Sequence, residues 1–516
     1  IFWIRLYSPR SPLPSPCAAR RPHAQHAMDT DAMPPEASPS PSLEDLAASA
    51  LPEWKRAIVR PLASALGMPQ GTVLFTLALF ASLPVGAVFR YIPGAAGKNA
   101  YSLVAGVLLS VFAFGSSTAE VLVFGLASYA AMALARKHCG YIVFVGSFGY
   151  LIYYHATSAS GEAWKAGNID ITGLLMVLTL KVTACALNYQ DSMLPESELN
   201  DFQKKRAIKK LPNVFDYAGW LMFPCTLVVG PALEFRDYLD WLNNKGVWGG
   251  KGCPPVTMKA LSTAGYALIF MCVHLYVMGI YTIDNTYLSP TWNDKPLWRK
   301  FWELHILGEG SRGKYFFCWV WAEAACIASG IGFSGYSAPE EGGKAEWVTA
   351  KNVRPMGVEK ASTFVQIPLN WNIQTGLWLR HYVYDRTTLK GKKPGFAQLL
   401  VTQVVSGVWH GLYAGYWLFF VSSAVFVQGS KNVFRWQREN WPKKFSWVID
   451  FPHWLLTTVG LNYLCASFML VTYEQCVGAW GSVYFIPHLT VVGMCIFGAV
   501  MDTGKKKKPS LSKKTE

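Results

Sequence analysis

The sequence predicts an all-α, polytopic integral membrane protein with about 11 transmembrane or re-entrant helices. Three observations carry this expectation. First, 52% of the 516 residues are hydrophobic and only 15% are charged, against about 25% charged in soluble domains, and mean hydropathy is +0.21. Second, the apolar residues cluster into long runs, many of them near the roughly 17–25 residues that a helical bilayer crossing needs. Third, Lys and Arg gather in short loops at 204–210, 385–393 and 435–444, and again at 505–508. Basic loops beside apolar spans mark a cytosolic face. The net charge of +15 therefore reads as topology and attraction to lipid headgroups, with contact to an anionic substrate as a second reading, and not as nucleic-acid binding.

The runs fall at 71–89, 101–115, 118–135, 141–155, 169–187, 217–233, 257–282, 315–334, 396–428, 446–472 and 480–501. Lipid offers the backbone no hydrogen-bond partners, so each run should be helical. No segment alternates in polarity as an outer-membrane strand would. The runs at 101–115, 141–155 and 217–233 are short enough to be re-entrant or interfacial. The run at 396–428 exceeds one crossing, which points to a tilt or to a break near Gly411 or Gly415. The 11 cysteines are scattered, without a C-x-x-C pair, which argues against a disulfide framework or a zinc site. No metal is expected.

The two ends differ from the body, residues 51–501. Residues 1–50 are Pro- and Ser-rich ("SPRSPLPSP", "PPEASPSPS") and are expected to be disordered, because they lack the apolar content for a core. The first methionines are Met28 and Met33, and the residues before Met28 read as lying outside the native protein. The segment 502–516 is basic and ends in KKTE, with Lys513 and Lys514 at the positions of a dilysine signal. Such a signal is an address read by a receptor, here the coat-protein retrieval machinery. It implies the endoplasmic reticulum membrane and a cytosolic C-terminus. A solvated basic tail is the plainer alternative.

Polar residues inside apolar spans are costly, and so are functional or paired. Asp170, Lys181, His274, Glu323, Gln403 and His410 are such residues, and Glu234 directly follows one span. His274 reads as a hydrogen bond to a neighbouring helix, and Lys181 and Glu323 as interhelical ion pairs. His410 differs in its surroundings, "SGVWHGLYAGYWLFF" (406–420). Glycines there permit close approach of backbone or ligand, and Trp409 and Tyr416 make a greasy wall with polar tips. This suits a tunnel for an acyl chain with one base at its end. Upstream, "IPLNWNIQTGLWLRHYVYDR" (367–386) sets Asn370, Asn372 and Gln374 beside Trp371 and Trp378. Their amides are donors suited to an oxygen that gains negative charge.

Other acyl-transfer chemistries lack their residues. "GFSGY" (332–336) has the wrong spacing for a nucleophile elbow. His381 meets Asp385 four positions on, where the soluble acyltransferase signature needs five; on a helix that pair is a surface contact. One buried histidine with an amide cluster is enough for a substrate hydroxyl to attack an activated acyl donor directly, without a covalent intermediate.

The stretches "WNIQTGLWLRHYVYDR" (371–386) and "SGVWHGLYAGYWLFF" (406–420) resemble the two signatures of the membrane-bound O-acyltransferase (MBOAT) family. The match is nearest the lysophospholipid acyltransferase branch, in particular the plant-type lysophosphatidylcholine acyltransferases. "GNIDITGLLMVLTLKVTACALNYQDSML" (167–194), "LVVGPALEFRDYLDW" (227–241) and "EAACIASGIGFSGYS" (323–337) are also similar. The resemblance covers roughly residues 60–500, with Ser192 as a departure where Gly is expected. It implies the MBOAT fold, helices enclosing a substrate tunnel.

It also implies a catalytic pair, His410 and Asn372. Trp371, Gln374, Trp409 and Tyr416 are then candidate substrate-binding residues. The implied reaction moves a long-chain acyl group from acyl-CoA to the sn-2 hydroxyl of a lysophospholipid, within membrane lipid and with no permanently bound cofactor. The headgroup would be choline, or else ethanolamine or serine. His410 would be the general base, uncharged at pH 7 as apolar surroundings favour, and Asn372 the oxyanion donor. Two rival functions are transfer to a sterol, diacylglycerol or protein, and, more remotely, lipid transport or scrambling.

Overall fold

The computed structural model describes residues 52–157, 169–249, 252–337, 343–388, 392 and 394–504. The segment expected to be disordered, 1–50, and the dilysine residues Lys513 and Lys514 lie outside the described residues.

The chain is helical almost throughout, as its apolar runs predict. The order begins α1 (Glu53–Leu66), α2 (Gln70–Val88), α3 (Gly94–Phe114), α4 (Thr118–Leu134), α5 (Cys139–Thr157) and α6 (Thr172–Asp191). Short pieces follow: α7 (Asp201–Arg206), α8 (Val214–Leu221), α9 (Pro224–Leu227) and α10 (Phe235–Leu242). Then come α11 (Thr257–Ile280), the 33-residue α12 (Leu297–Ser329) and a two-residue antiparallel pairing of β1 (Gly335–Tyr336) with β2 (Ala345–Glu346). The last part holds α13 (Pro355–Glu359), α14 (Ile367–Asn370), α15 (Ile373–Leu379), α16 (Phe396–His410), α17 (Ala414–Asn440), α18 (Trp447–Leu470), α19 (Tyr473–Gly481) and α20 (Ile486–Gly504).

Among the described residues, four helical stretches are long and apolar enough to cross a bilayer: Gln70–Tyr91, Gly94–Leu134, Thr172–Asp191 and Thr257–Ile280. The pair Tyr473–Gly481 and Ile486–Met501, bent by 80°, makes a fifth if it is one span. The other expected runs do not form such a stretch among the described residues. The run read at 315–334 is the C-terminal half of α12, which begins at Leu297 and carries Arg299, Lys300, Glu303, Glu309, Arg312, Lys314 and Glu323. The run at 217–233 is broken into α8 and α9. The chain is a multi-pass membrane protein, and α6 and α12 are its inner helices. α6 is buried along its full apolar window, while only 28% of the α11 window is buried.

The long run at 396–428 breaks at Gly411, one of the two places the sequence suggested. Gly411 ends α16 with φ +137°, a backbone region nearly closed to side-chain-bearing residues. Gly415 then seats α17 against the end of α18. Its N–H donates to Val471 O at 2.8 Å, and a Cβ there would lie 2.1 Å from Ser467 O. The two glycines of the W-H-G-x-x-x-G-Y stretch thus serve a turn and a close helix contact.

Two polar readings need correction. Lys181 and Glu323 are not partners. Lys181 Nζ donates to the carbonyls of Trp220 at 2.7 Å and Leu221 at 3.1 Å, where broken helices leave backbone acceptors open. Glu323 Oε1 accepts from Lys351 Nζ at 2.7 Å, in the loop after β2. His274 fits its expectation, since its Nδ1 donates to Gly310 O of α12 at 2.7 Å. Arg312 is the buried hub of a network unseen in the sequence. It bridges Glu309 at 2.5 Å, Glu359 at 2.8 Å and Asn462, tying α12 to α13 and α18.

Candidate active site

A cavity opens between the inner helices and the loop after β2. Its wall includes Gly173, Val177 and Leu180 of α6, the 228–232 turn, Lys314, Tyr315, Cys318 and Trp319 of α12, then Asn352, Asn372, Thr375 and Trp409. Most of this lining is apolar, with few polar groups, the usual composition of a site that binds a largely hydrophobic ligand.

Asn372 sits on that wall at the start of α15, in the left-handed region with φ 45° and ψ 53°. Asn tolerates this conformation better than most residues, having a short polar side chain. Asn352 holds it there. Asn352 Nδ2 donates to Asn372 Oδ1 at 3.1 Å, Asn352 Oδ1 accepts from Gln374 N at 3.0 Å, and Asn352 O accepts from Ile373 N at 2.7 Å. With its Oδ1 accepting, the Asn372 amide is oriented so that its N–H groups are the donors left for a ligand.

His410 ends α16. Its Nδ1 lies 2.7 Å from Ser406 O. A carbonyl can only accept, so Nδ1 carries the proton and Nε2 carries the lone pair. The ring stands in an aromatic cage, with centroids of Trp409 at 4.6 Å, Phe420 at 4.6 Å, Phe468 at 5.5 Å and Tyr416 at 6.3 Å. Trp409 belongs to both sites, packing on the His410 ring and lining the cavity that Asn372 lines. It is 4% exposed, and its indole N–H donates to Met176 O at 2.8 Å.

The six candidates therefore divide. Asn372 and Trp409 line the cavity. His410 and Tyr416 form the adjoining cage. Gln374 lines a second cleft, with Lys181, Arg206, Glu234 and Trp378, which meets the first at Leu180 and Ala232. The Gln374 Nε2 is spent on the carbonyls of Lys351 at 3.2 Å and Thr349 at 3.3 Å. Trp371 packs edge-on to Tyr315, Phe316 and Trp319 of α12 at 5.0–5.6 Å. In the second cleft, burial pushes the Glu234 carboxyl up, opposed by Arg206 and by hydrogen bonds from Tyr382 and Asn188. His381 does contact Asp385, at 3.0 Å, but its ring also stacks on Phe202 at 3.7 Å.

Three residues escaped the sequence reading. Asn352 and Lys314 are on the cavity wall, and His155 Nε2 donates to Trp409 O at 3.2 Å, bracing the segment that carries His410. A long, polar-flanked α12 hid Lys314. Nothing in spacing links Asn352 to Asn372 or His155 to Trp409, because these contacts join separate elements.

A helical membrane protein that sets an oriented amide on an apolar cavity, beside a caged imidazole, fits enzymes that move acyl groups within the bilayer. Comparison with known proteins is specific. The MBOAT, membrane-bound O-acyltransferase family, matches residues 158–473. Lysophospholipid acyltransferase 1 of Arabidopsis thaliana is 40% identical over 449 residues, covering 85% of this chain and 96% of that protein. Lysophospholipid acyltransferase 2 of the same plant is 42% identical over 431 residues, covering 82% and 92%. The lysophospholipid acyltransferase of Schizosaccharomyces pombe is 30% identical over 454 residues, covering 84% and 88%. This chain belongs to the membrane-bound O-acyltransferase family and is an acyltransferase, as its two signature stretches implied.

Proposed function

We propose that this protein transfers a long-chain acyl group from acyl-CoA to the sn-2 hydroxyl of a lysophospholipid in the endoplasmic reticulum membrane. The observation that carries the reading is near-full-length similarity to two plant proteins named lysophospholipid acyltransferases. Asn372 on an apolar cavity wall, next to the Trp409–His410 dipeptide, supports it.

In the proposed reaction, Nε2 of His410 takes the proton of the sn-2 hydroxyl. The oxygen attacks the thioester carbonyl, and an N–H of Asn372 donates to the oxyanion that forms. The tetrahedral species then collapses and expels the coenzyme A thiolate, which takes the proton back from the imidazolium. One ester forms and one thioester breaks, and neither step calls for a metal. General-base catalysis contributes about 10²–10⁴-fold, and one oxyanion donor about 10²–10³-fold. Coenzyme A leaves on the cytosolic side, and Lys513 and Lys514 return the protein to the endoplasmic reticulum.

The test uses microsomes expressing the chain, labelled acyl-CoA, and a panel of lysophospholipids with choline, ethanolamine and serine headgroups beside a sterol, a diacylglycerol and a peptide acceptor. Label should appear in phospholipid. Label appearing only in another acceptor, or lipid flux without thioester consumption, would overturn the reading.

A further inference from the structure

We propose that Lys314 binds the phosphate of the acceptor lipid, and so makes this cavity select phosphate-bearing acceptors over neutral ones. The proposal rests on the lysophospholipid reading above and names the group that would recognise that substrate.

Lys314 lies on the inner helix α12 and is only 5% exposed. It lines the cavity that Asn372, Asn352 and Thr375 line. Among the described lining residues it is the one charged side chain, and none is Asp or Glu. The other walls are mainly Val, Leu, Gly, Pro, Ala and aromatic residues. A cation on an apolar wall gains much from an anion that comes to it, because charge interactions strengthen as the local dielectric falls.

The chemistry of the two substrates decides which anion arrives. In a lysophospholipid, the reacting hydroxyl and the phosphate ester sit on adjacent carbons of one glycerol. A hydroxyl held near Asn372 therefore brings its phosphate into the same cavity. In acyl-CoA the long pantetheine arm separates the thioester from the pyrophosphate. When the thioester is at Asn372, its phosphates lie well outside. A cation sharing the cavity with the reacting atoms is thus placed for the acceptor's phosphate. Monoacylglycerol offers the same free hydroxyl without that anion.

The experiment compares lysophosphatidylcholine with 1-monoacylglycerol of the same acyl chain, using wild type, Lys314→Met and Lys314→Arg in detergent-solubilised form. The readout is the ratio of kcat/KM for the two acceptors. A charge-assisted hydrogen bond supports a fall in this ratio of about 10–100-fold in Lys314→Met, mostly through a higher KM for lysophosphatidylcholine. Lys314→Arg should keep most of the preference. A ratio within about threefold of wild type in Lys314→Met overturns the proposal. So does an equal loss on both acceptors, which would mark a structural lysine.

If Lys314→Met does not accumulate, wild type alone decides. An analogue of lysophosphatidylcholine lacking the sn-2 hydroxyl should then inhibit at least about tenfold more strongly than its counterpart without phosphocholine, and equal inhibition overturns the proposal. Wild type that acylates only neutral acceptors would sink the lysophospholipid reading itself. Wild type that acylates lysophosphatidylcholine, with its preference intact in Lys314→Met, would leave that reading standing and remove only the role of Lys314.

Discussion

Asn352→Ala removes the support of the proposed oxyanion donor without touching the donor. Two side-chain bonds disappear, one to Asn372 Oδ1 at 3.1 Å and one from Gln374 N at 3.0 Å, while the backbone bond from Ile373 N at 2.7 Å survives. Each lost bond contributes about 0.5–1.5 kcal/mol. Asn372 must still hold φ 45°, a left-handed backbone that costs about 1–2 kcal/mol, now with its amide untethered. Stability should fall by about 1–3 kcal/mol, and the freed amide should spend less time aligned. Since each 1.36 kcal/mol of lost alignment is tenfold in rate, we expect acyl transfer to drop roughly 10–100-fold. The assay is microsomal transfer from labelled acyl-CoA, paired with thermal unfolding in detergent. The decisive comparison is the double variant Asn352→Ala/Asn372→Ala. It should be no slower than Asn372→Ala alone, because a tether is idle once its amide is gone. Activity of Asn352→Ala within threefold of wild type, or losses that multiply in the double variant, would refute the positioning argument.

His410→Ala should lower transfer by at least about 10² while the protein accumulates normally. Combined with Asn372→Ala it should lose far less than the product of the single effects, since both act on one transition state; failure to accumulate would mark His410 as structural. Gly415→Ala sets a Cβ 2.1 Å from Ser467 O, so α17 must move off α18. We expect a loss of several kcal/mol and little detergent-stable protein on size-exclusion chromatography, and a wild-type elution profile would count against that tight contact. Replacing Lys513 and Lys514 by Ala should carry the protein beyond the endoplasmic reticulum in fluorescence microscopy, with turnover in detergent unchanged; unaltered localisation would leave only a solvated basic tail.

The break in the 396–428 run was legible because Gly411 and Gly415 interrupt an otherwise continuous apolar segment, and glycine is what a left-handed turn requires. His274 was legible because an imidazole inside an apolar helix has few choices beyond a neighbouring backbone. Lys181 and Glu323 misled for the same reason. Opposite charges in apolar spans suggest each other, but Lys181 found the open carbonyls between α8 and α9, and Glu323 found a loop lysine. Charge pairing in a bundle depends on which helices touch, and that is not written in either helix.

What the sequence by itself determined is local and periodic. Apolar run length set the helices, and the W-N and W-H-G stretches marked Asn372 and His410 as chemically unusual. Those features act over a few residues, so a linear reading recovers them. Only the tertiary structure decided the site. Asn352 reaches Asn372 past the intervening α13 and α14, His155 reaches Trp409 from α5, and α12 delivers Lys314 to a wall shared with α6. These groups meet because α6 and α12 are packed inside the bundle, and side chains brought together by packing carry no common spacing along the chain.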